Sequence, residues 1–346
     1  VLLLFLLFIS CGTKNKEYAN NVFPYSQFPQ EKELKGEVIE LDTALFRYPF
    51  RIRIEGDKAI VLDLHGSDYY GHLFQYPSFR YLSSFGRRGD SPLEMLSMEN
   101  FRLHNHTLWT LDANKSELTR LDFSSSGDSL LREETVALDE DILRPLDFAI
   151  YNDTTFVIPD YSGESRFLKV DCKGKLIEKI GTIPTTNKKA LQEARPALAQ
   201  AWRSFLDYNS HNSVLATVTQ LGEVVEIYNL KDSTHVIRVG EYDEPEFKVS
   251  DGYGIPTGIM GFSDVQVTDD AIYAVFHGTS FKDIARQSGR LSDGGKYIYV
   301  FSLKGEPLCK YVLDHYIYGI WVDEVTKTIM ATDVNNDQPI LKFSFG

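Results

Sequence analysis

The chain has 346 residues, 43% of them hydrophobic and 13% aromatic, with 22 Phe and 19 Tyr, ample material for a large core. Its formal net charge is −13 and it carries no long Lys/Arg block. Nucleic acid is therefore not an expected partner, because phosphate binding needs a concentrated positive footprint.

Residues 1–12 read VLLLFLLFISCG. This apolar stretch is too short to span a bilayer and gives way at once to polar residues from Thr13, which predicts a signal peptide over 1–10. Small residues around Cys11 resemble the lipobox of bacterial lipoproteins, which implies cleavage before Cys11 and a lipid on its thiol. A plain secretory signal with an incidental cysteine is the alternative. Residues 11–33, polar and carrying Pro24 and Pro29, are expected to form a lipidated tether, with the folded domain spanning 34–346.

A lone strand is predicted over 37–41. Residues 50–94 then hold four short runs rich in β-branched and aromatic residues, divided by turn residues such as Glu55-Gly56-Asp57: a four-stranded antiparallel meander. A second unit has strands over 100–103, 107–112, 118–122 and 130–138, and a third over 146–151, 155–160, 166–170 and 175–180. Val61, Trp109 and Val157 hold equivalent places in the second strands, each 48 residues from the last. A period in the 40s with four strands per unit signals a propeller.

Leu191, Ala194, Leu198, Ala201 and Trp202 follow helical spacing, interrupted by Pro196, which predicts a kinked helix or two short ones. Three more units follow. The fifth carries a polar insertion over 278–295, and the sixth is one strand short. The strand at 37–41 supplies it and removes the free sheet edges of an open array. The expected fold is all-β: a six-bladed β-propeller of four-stranded antiparallel blades, closed by its N-terminal strand, with one helical insertion between blades 3 and 4. It is expected to be monomeric. Cys172 and Cys309 fall in different blades and are expected to be unpaired thiols.

The lipoprotein-like start, the strand opening Pro49-Phe50-Arg51-Ile52 and the ending Phe85-Gly86-Arg87-Arg88-Gly89-Asp90-Ser91-Pro92-Leu93-Glu94 resemble the TolB-like six-bladed propeller lipoproteins of Bacteroidetes. Ser91 and Leu93 stand where that group commonly has glycine, and Met95 where it has Phe. The resemblance implies a cell-envelope location, periplasm-facing or on the outer-membrane surface, with membrane contact through the lipid anchor. It implies no particular activity.

In such a ring the turns between first and second strands lie on one side, and every long segment (86–98, 183–203, 240–261, 278–295) lies on the other. Binding residues concentrate on elaborated loops held by a rigid scaffold, so a site is expected on that face, around the central channel. Arg87, Arg88 and Asp90 read either as a charged rim for a partner or as solvated charges on a tight link. Asp63, Asp112, Asp160 and Asp333 end second strands, and read either as a carboxylate ring for a cation or sugar hydroxyls, or as repeated turn caps. Tyr161, Trp202 and Tyr253 can stack on a sugar or peptide, or simply pack. No G-x-S-x-G, Walker loop, H-E-x-x-H or C-x-x-C occurs, so no catalytic residue, metal ligand or cofactor is assigned. The favoured function is a binding or scaffold module for an envelope protein, peptide or glycan. The alternative is a divalent-metal-dependent propeller hydrolase or lyase acting at the channel mouth.

Overall fold

Blade 1 shows why the sequence folds as it does. In the computed structural model, which describes residues 21–42, 46–287 and 292–346, it consists of Pro49–Glu55, Lys58–Asp63, Tyr69–Gln75 and Arg80–Arg87, paired successively antiparallel. The predicted signal peptide and Cys11 lie outside the described residues. In the second strand Ala59, Ile60, Val61 and Leu62 are all fully buried. Neighbouring blades cover both faces of this strand, so it reads as a continuous apolar run and not as an alternation. The outermost strands are wetter: Leu130–Ala137 in blade 2 is mostly exposed or half-buried.

Blades 2 to 5 repeat the pattern, and blade 6 is built as expected. Ile320–Asp323, Thr328–Thr332 and Ile340–Ser344 are completed by Glu37–Ile39, antiparallel to Ile340–Ser344 with Leu341 opposite Val38. The ring is thus closed by hydrogen bonds between its two ends. The interrupted helical pattern resolves into α1 (Lys188–Glu193) and α2 (Arg195–Ala201), with Pro196 in the first turn of α2, where its missing N–H costs nothing. Asn187 caps α1 by accepting from the Ala190 N–H at 3.0 Å. Cys172 and Cys309 are free.

The tether expectation needs correction. From residue 22 the chain is not a free linker. Val22–Pro24 adds parallel to Thr234–Val239 on the rim of blade 4, and Glu31–Leu34 adds parallel to Pro307–Ile317 on blade 5. Edge addition is made by backbone groups, so it leaves little hydrophobic signature. The apolar anchors are Tyr25 and Phe28, which pack on Tyr299 and Phe301 with ring centroids 4.7–6.4 Å apart. Two further elements were not foreseen: α3 (Phe281–Gln287) inside the insertion, and a hairpin of Phe247–Ser250 and Tyr253–Pro256 in the link between blades 4 and 5.

The middle of the ring is polar and buried. Asp264 accepts from both terminal nitrogens of Arg53 (3.1 Å each) and from the Val265 and Ile320 N–H groups (2.9 Å each), so one carboxylate ties blades 1, 5 and 6. Asp147 does the same for blades 2, 3 and 4. It accepts from Asn100 and Arg102 at 2.7 Å and from the Leu206 N–H at 3.0 Å. Arg51 lies between the Phe50 and Phe205 rings, 4.3 Å from each centroid, and burial pushes its guanidinium down to about 10.

Candidate functional site

The four strand-end aspartates fall into one chemical role. Asp63 accepts from the backbone N–H groups of Arg47, Tyr48 and His65 at 2.7–3.2 Å. Asp112 accepts from Leu96, Ser97, Asn114 and Lys115 at 2.7–3.1 Å. Asp160 holds the Ser162 and Ser165 N–H groups at 2.8 Å and the Ser165 hydroxyl at 2.7 Å. Asp333 takes the Asn335 N–H and side-chain amide, and that of Asn336. Each carboxylate caps its own turn, and those of Asp63 and Asp112 also hold the strand entry into their own blade. The structure does not bring the four together. Among the described residues no three His, Cys, Asp or Glu side chains are grouped to hold a metal ion.

The charged link is also internally engaged. Arg87 pairs with Glu94 at 3.4 Å, and Arg88 lies 3.7 Å over the Tyr70 ring while donating to the Leu64 carbonyl. Asp90 is exposed. At Gly89 the backbone has φ +155°, and an added Cβ would collide with Glu94, so glycine is required for the link to close. Trp202 is 1% exposed and packs with Leu198, Val224 and Ile237, in the core and not at a surface. Tyr161 and Tyr253 meet at a small groove between blades 3 and 4.

The central channel opens on the face opposite to the one expected. On the long-loop face Phe50, Phe205, Tyr318 and Arg51 fill it. On the short-turn face it widens into a cavity of about 540 Å³ lined by first-strand ends and turns, among them Arg102, Asp207, Gln266 and Trp321. Neighbouring turns are bridged there: His104 to Asp153 at 2.8 Å, and Asn209 to Asp269 at 2.9 Å.

The larger cavity, about 660 Å³, lies on the long-loop face in the cleft between blades 4 and 5. Its floor is Phe276, Tyr297 and Tyr299, with Phe276 and Tyr299 stacked at 4.7 Å. Its roof is Tyr25 to Phe28, the segment running between the two added edge strands. Tyr242, 47% exposed, stands at the mouth. Lys310 lies 4.7 Å over Tyr297 and pairs with Glu31 at 3.0 Å.

Three buried polar groups line this cleft. Glu223, 3% exposed, accepts from the Tyr242 N–H at 3.1 Å, and burial raises its carboxyl pKa. The Tyr25 hydroxyl lies beside that carboxylate; burial first, and then Glu223, push its pKa well up. His277 Nε2 is without a partner, and burial pushes the imidazole down to about 4, so the ring is neutral at pH 7. A neutral imidazole and a phenol each donate and accept hydrogen bonds, and a carboxylate accepts them.

The profile of the TolB-like 6-blade propeller-like family matches residues 27–325. The chain belongs to that family. No curated protein matches it at the level of sequence. Among solved structures, this TolB-like propeller resembles a Bacteroides fragilis protein described as exported, at 12% identity over 93% of this chain and 98% of the other, TM-score 0.59. A member of the DUF4221 family from Bacteroides vulgatus is 10% identical over 91% and 98%, TM-score 0.55. An auxiliary nutrient binding protein from Bacteroides ovatus is 10% identical over 87% and 70%, TM-score 0.53. At such identities the likeness is one of fold.

None of the residues facing the blade 4/5 cleft of this TolB-like propeller stood out by motif. One signal was present in the chain: Tyr297, Tyr299 and Phe301 alternate along one strand, which puts three aromatic rings on one face. Glu223 and His277 carry no comparable mark, because each is a single polar residue at a strand end.

Proposed function

We propose that this protein is a non-enzymatic binding module of the cell envelope, held there through lipidated Cys11, and that it takes a neutral glycan in the cleft between blades 4 and 5. The observation that carries this reading is the pairing of an aromatic floor with the buried Tyr25 and Glu223 side chains and the unpartnered His277 Nε2. Sugar rings present C–H faces to aromatic rings and hydroxyls to mixed donors and acceptors, and the cleft offers both. Its polar groups are buried, so a ligand that leaves them unpaired is penalised. The description of the Bacteroides ovatus neighbour, nutrient binding, agrees with a binding module. The alternative of metal-dependent chemistry has weaker support, because the aspartates on which it rested cap turns.

The test is calorimetric titration of the protein with a panel of neutral oligosaccharides. At least one is expected to bind, and Glu223→Gln and Tyr297→Ala are each expected to weaken it about tenfold, the worth of roughly 1.4 kcal/mol, while far-UV circular dichroism stays unchanged. Binding by no member of the panel, or equal binding by both variants, refutes the proposal.

A further inference from the structure

A second site lies apart from the glycan cleft and does not depend on it. The groove where Tyr161 and Tyr253 meet has a volume of about 230 Å³, the space of roughly eight waters. It is built from three separate links on the long-loop face: Leu143, Arg144 and Leu146 before blade 3, Pro196, Gln200 and Arg203 before blade 4, and Tyr253 from the hairpin before blade 5.

Its electrostatics run against the rest of the molecule. The chain carries a net charge of −13, yet this groove has two guanidinium groups and no carboxylate among the described residues that line it. Arg144 is exposed, sits at a left-handed φ of 47°, and makes no hydrogen bond or ion pair among the described residues. Arg203 pairs with Glu99 at 3.6 Å through one terminal nitrogen, while its Nε is buried without an acceptor. The Tyr161 hydroxyl is likewise buried without an acceptor, and burial pushes its phenol up to about 12, so it stays a donor at pH 7. Arg144, Arg203 and Tyr161 therefore line one small space, and the Arg203 Nε, the Tyr161 hydroxyl and Arg144 have no hydrogen-bond acceptor among the described residues. Gln200 is oriented by accepting from the Gly254 N–H at 3.0 Å, which ties α2 to the hairpin. Around the donors the wall is apolar, and Leu143 and Tyr253 are 53% and 57% exposed.

We infer that this groove binds the C-terminal residue of a peptide, its free carboxylate on Arg144, Arg203 and Tyr161 and its apolar side chain against Leu143, Leu146 and Tyr253. A carboxylate supplies the missing acceptors, and charge-assisted bonds to guanidinium are the strong ones. Terminal-carboxylate capture is a known mode of peptide recognition. The volume admits one residue and its carboxylate.

The test titrates the protein with N-acetylated tripeptides ending in Leu or Phe, each as the free acid and as the C-terminal amide, with glucuronate as a non-peptide carboxylate. The free acids are expected to bind at least tenfold more tightly than the amides. Arg144→Gln, at an exposed position where folding is not at risk, is expected to erase that difference, while Glu223→Gln leaves it intact. Equal binding of acid and amide, no binding of either at millimolar concentration, binding of glucuronate alone, or an Arg144→Gln variant that keeps the preference each overturns the inference. Failure of oligosaccharides to bind bears only on the blade 4/5 cleft.

Discussion

Replacing Asp264 with asparagine is expected to remove about 4 kcal/mol of folding stability, within the range of ~3–5 kcal/mol seen when one member of a buried ion pair is lost. Asp264 is 1% exposed and is the counter-charge for Arg53 (3.1 Å) and for Arg51 (3.4 Å). Burial opposes its ionisation, but the two guanidinium groups overcome this and hold its pKa below the usual carboxylate range. An asparagine keeps the shape and one acceptor oxygen while removing the nearest counter-charge of two buried guanidinium groups. Neither arginine can relieve the cost by losing its proton at pH 7. Arg53 keeps carbonyl partners in Ile52 and Ile320, and Arg51 keeps the Ser263 carbonyl and two aromatic faces, which is why the middle of the range is expected. Urea unfolding followed by circular dichroism is the assay. With a slope of about 3 kcal/mol/M the midpoint should fall by about 1.3 M at unchanged slope. A fall below about 0.3 M would refute the view that the centre of the ring is a dry, charge-balanced hub.

Acid should weaken the fold in two stages. Burial pushes His72 and His277 down to about 4, so the unfolded chain binds protons first as pH falls below about 6.5; stability then drops by ~1.4 kcal/mol per pH unit for each until pH ~4. Burial works against Glu226, but Arg166 beside it at 2.7 Å holds it down to about 2, so its contribution is intact above pH ~4.5 and is lost as pH falls toward 2. Urea midpoints that stay flat between pH 7 and 5 would contradict the histidine assignment. Asp112→Ala, which frees four backbone N–H groups, should lower stability by about 2–3 kcal/mol in the same assay and leave ligand titrations unaltered; a binding defect without a stability loss would restore a functional role. Cys11→Ser should shift the protein from the membrane pellet to the soluble fraction on cell fractionation, and an unchanged pellet fraction would rule out lipid anchoring.

The ring was legible in the chain because a propeller is local. Each blade is a meander of sequential neighbours, so β-rich runs, turn residues and the 48-residue recurrence of Val61, Trp109 and Val157 all report on contacts made within one repeat. Closure by Glu37–Ile39 was legible for a related reason: a missing strand at one end and a surplus strand at the other have one way to be reconciled. Capping by Asp112 and its counterparts was one of two readings, and hydrogen-bond geometry selected it.

What only the tertiary structure decided lies between repeats. Asp264, Asp147, Arg51 and Arg53 look like ordinary strand residues, and their pairing emerges only when first strands from different blades are brought around one axis. The run 22–33 reads as linker because an added edge strand is held by backbone groups, which any sequence without too many prolines can offer. Both proposed binding sites are clefts between adjacent blades, assembled from segments far apart in the chain: Tyr25 with Glu223, His277 and Tyr299, and Arg144 with Arg203 and Tyr253. Periodicity places each residue within its blade. Which blade-to-blade cleft stays open, and which polar groups are left facing it without partners, depends on side-chain packing across that cleft, and no local pattern encodes it.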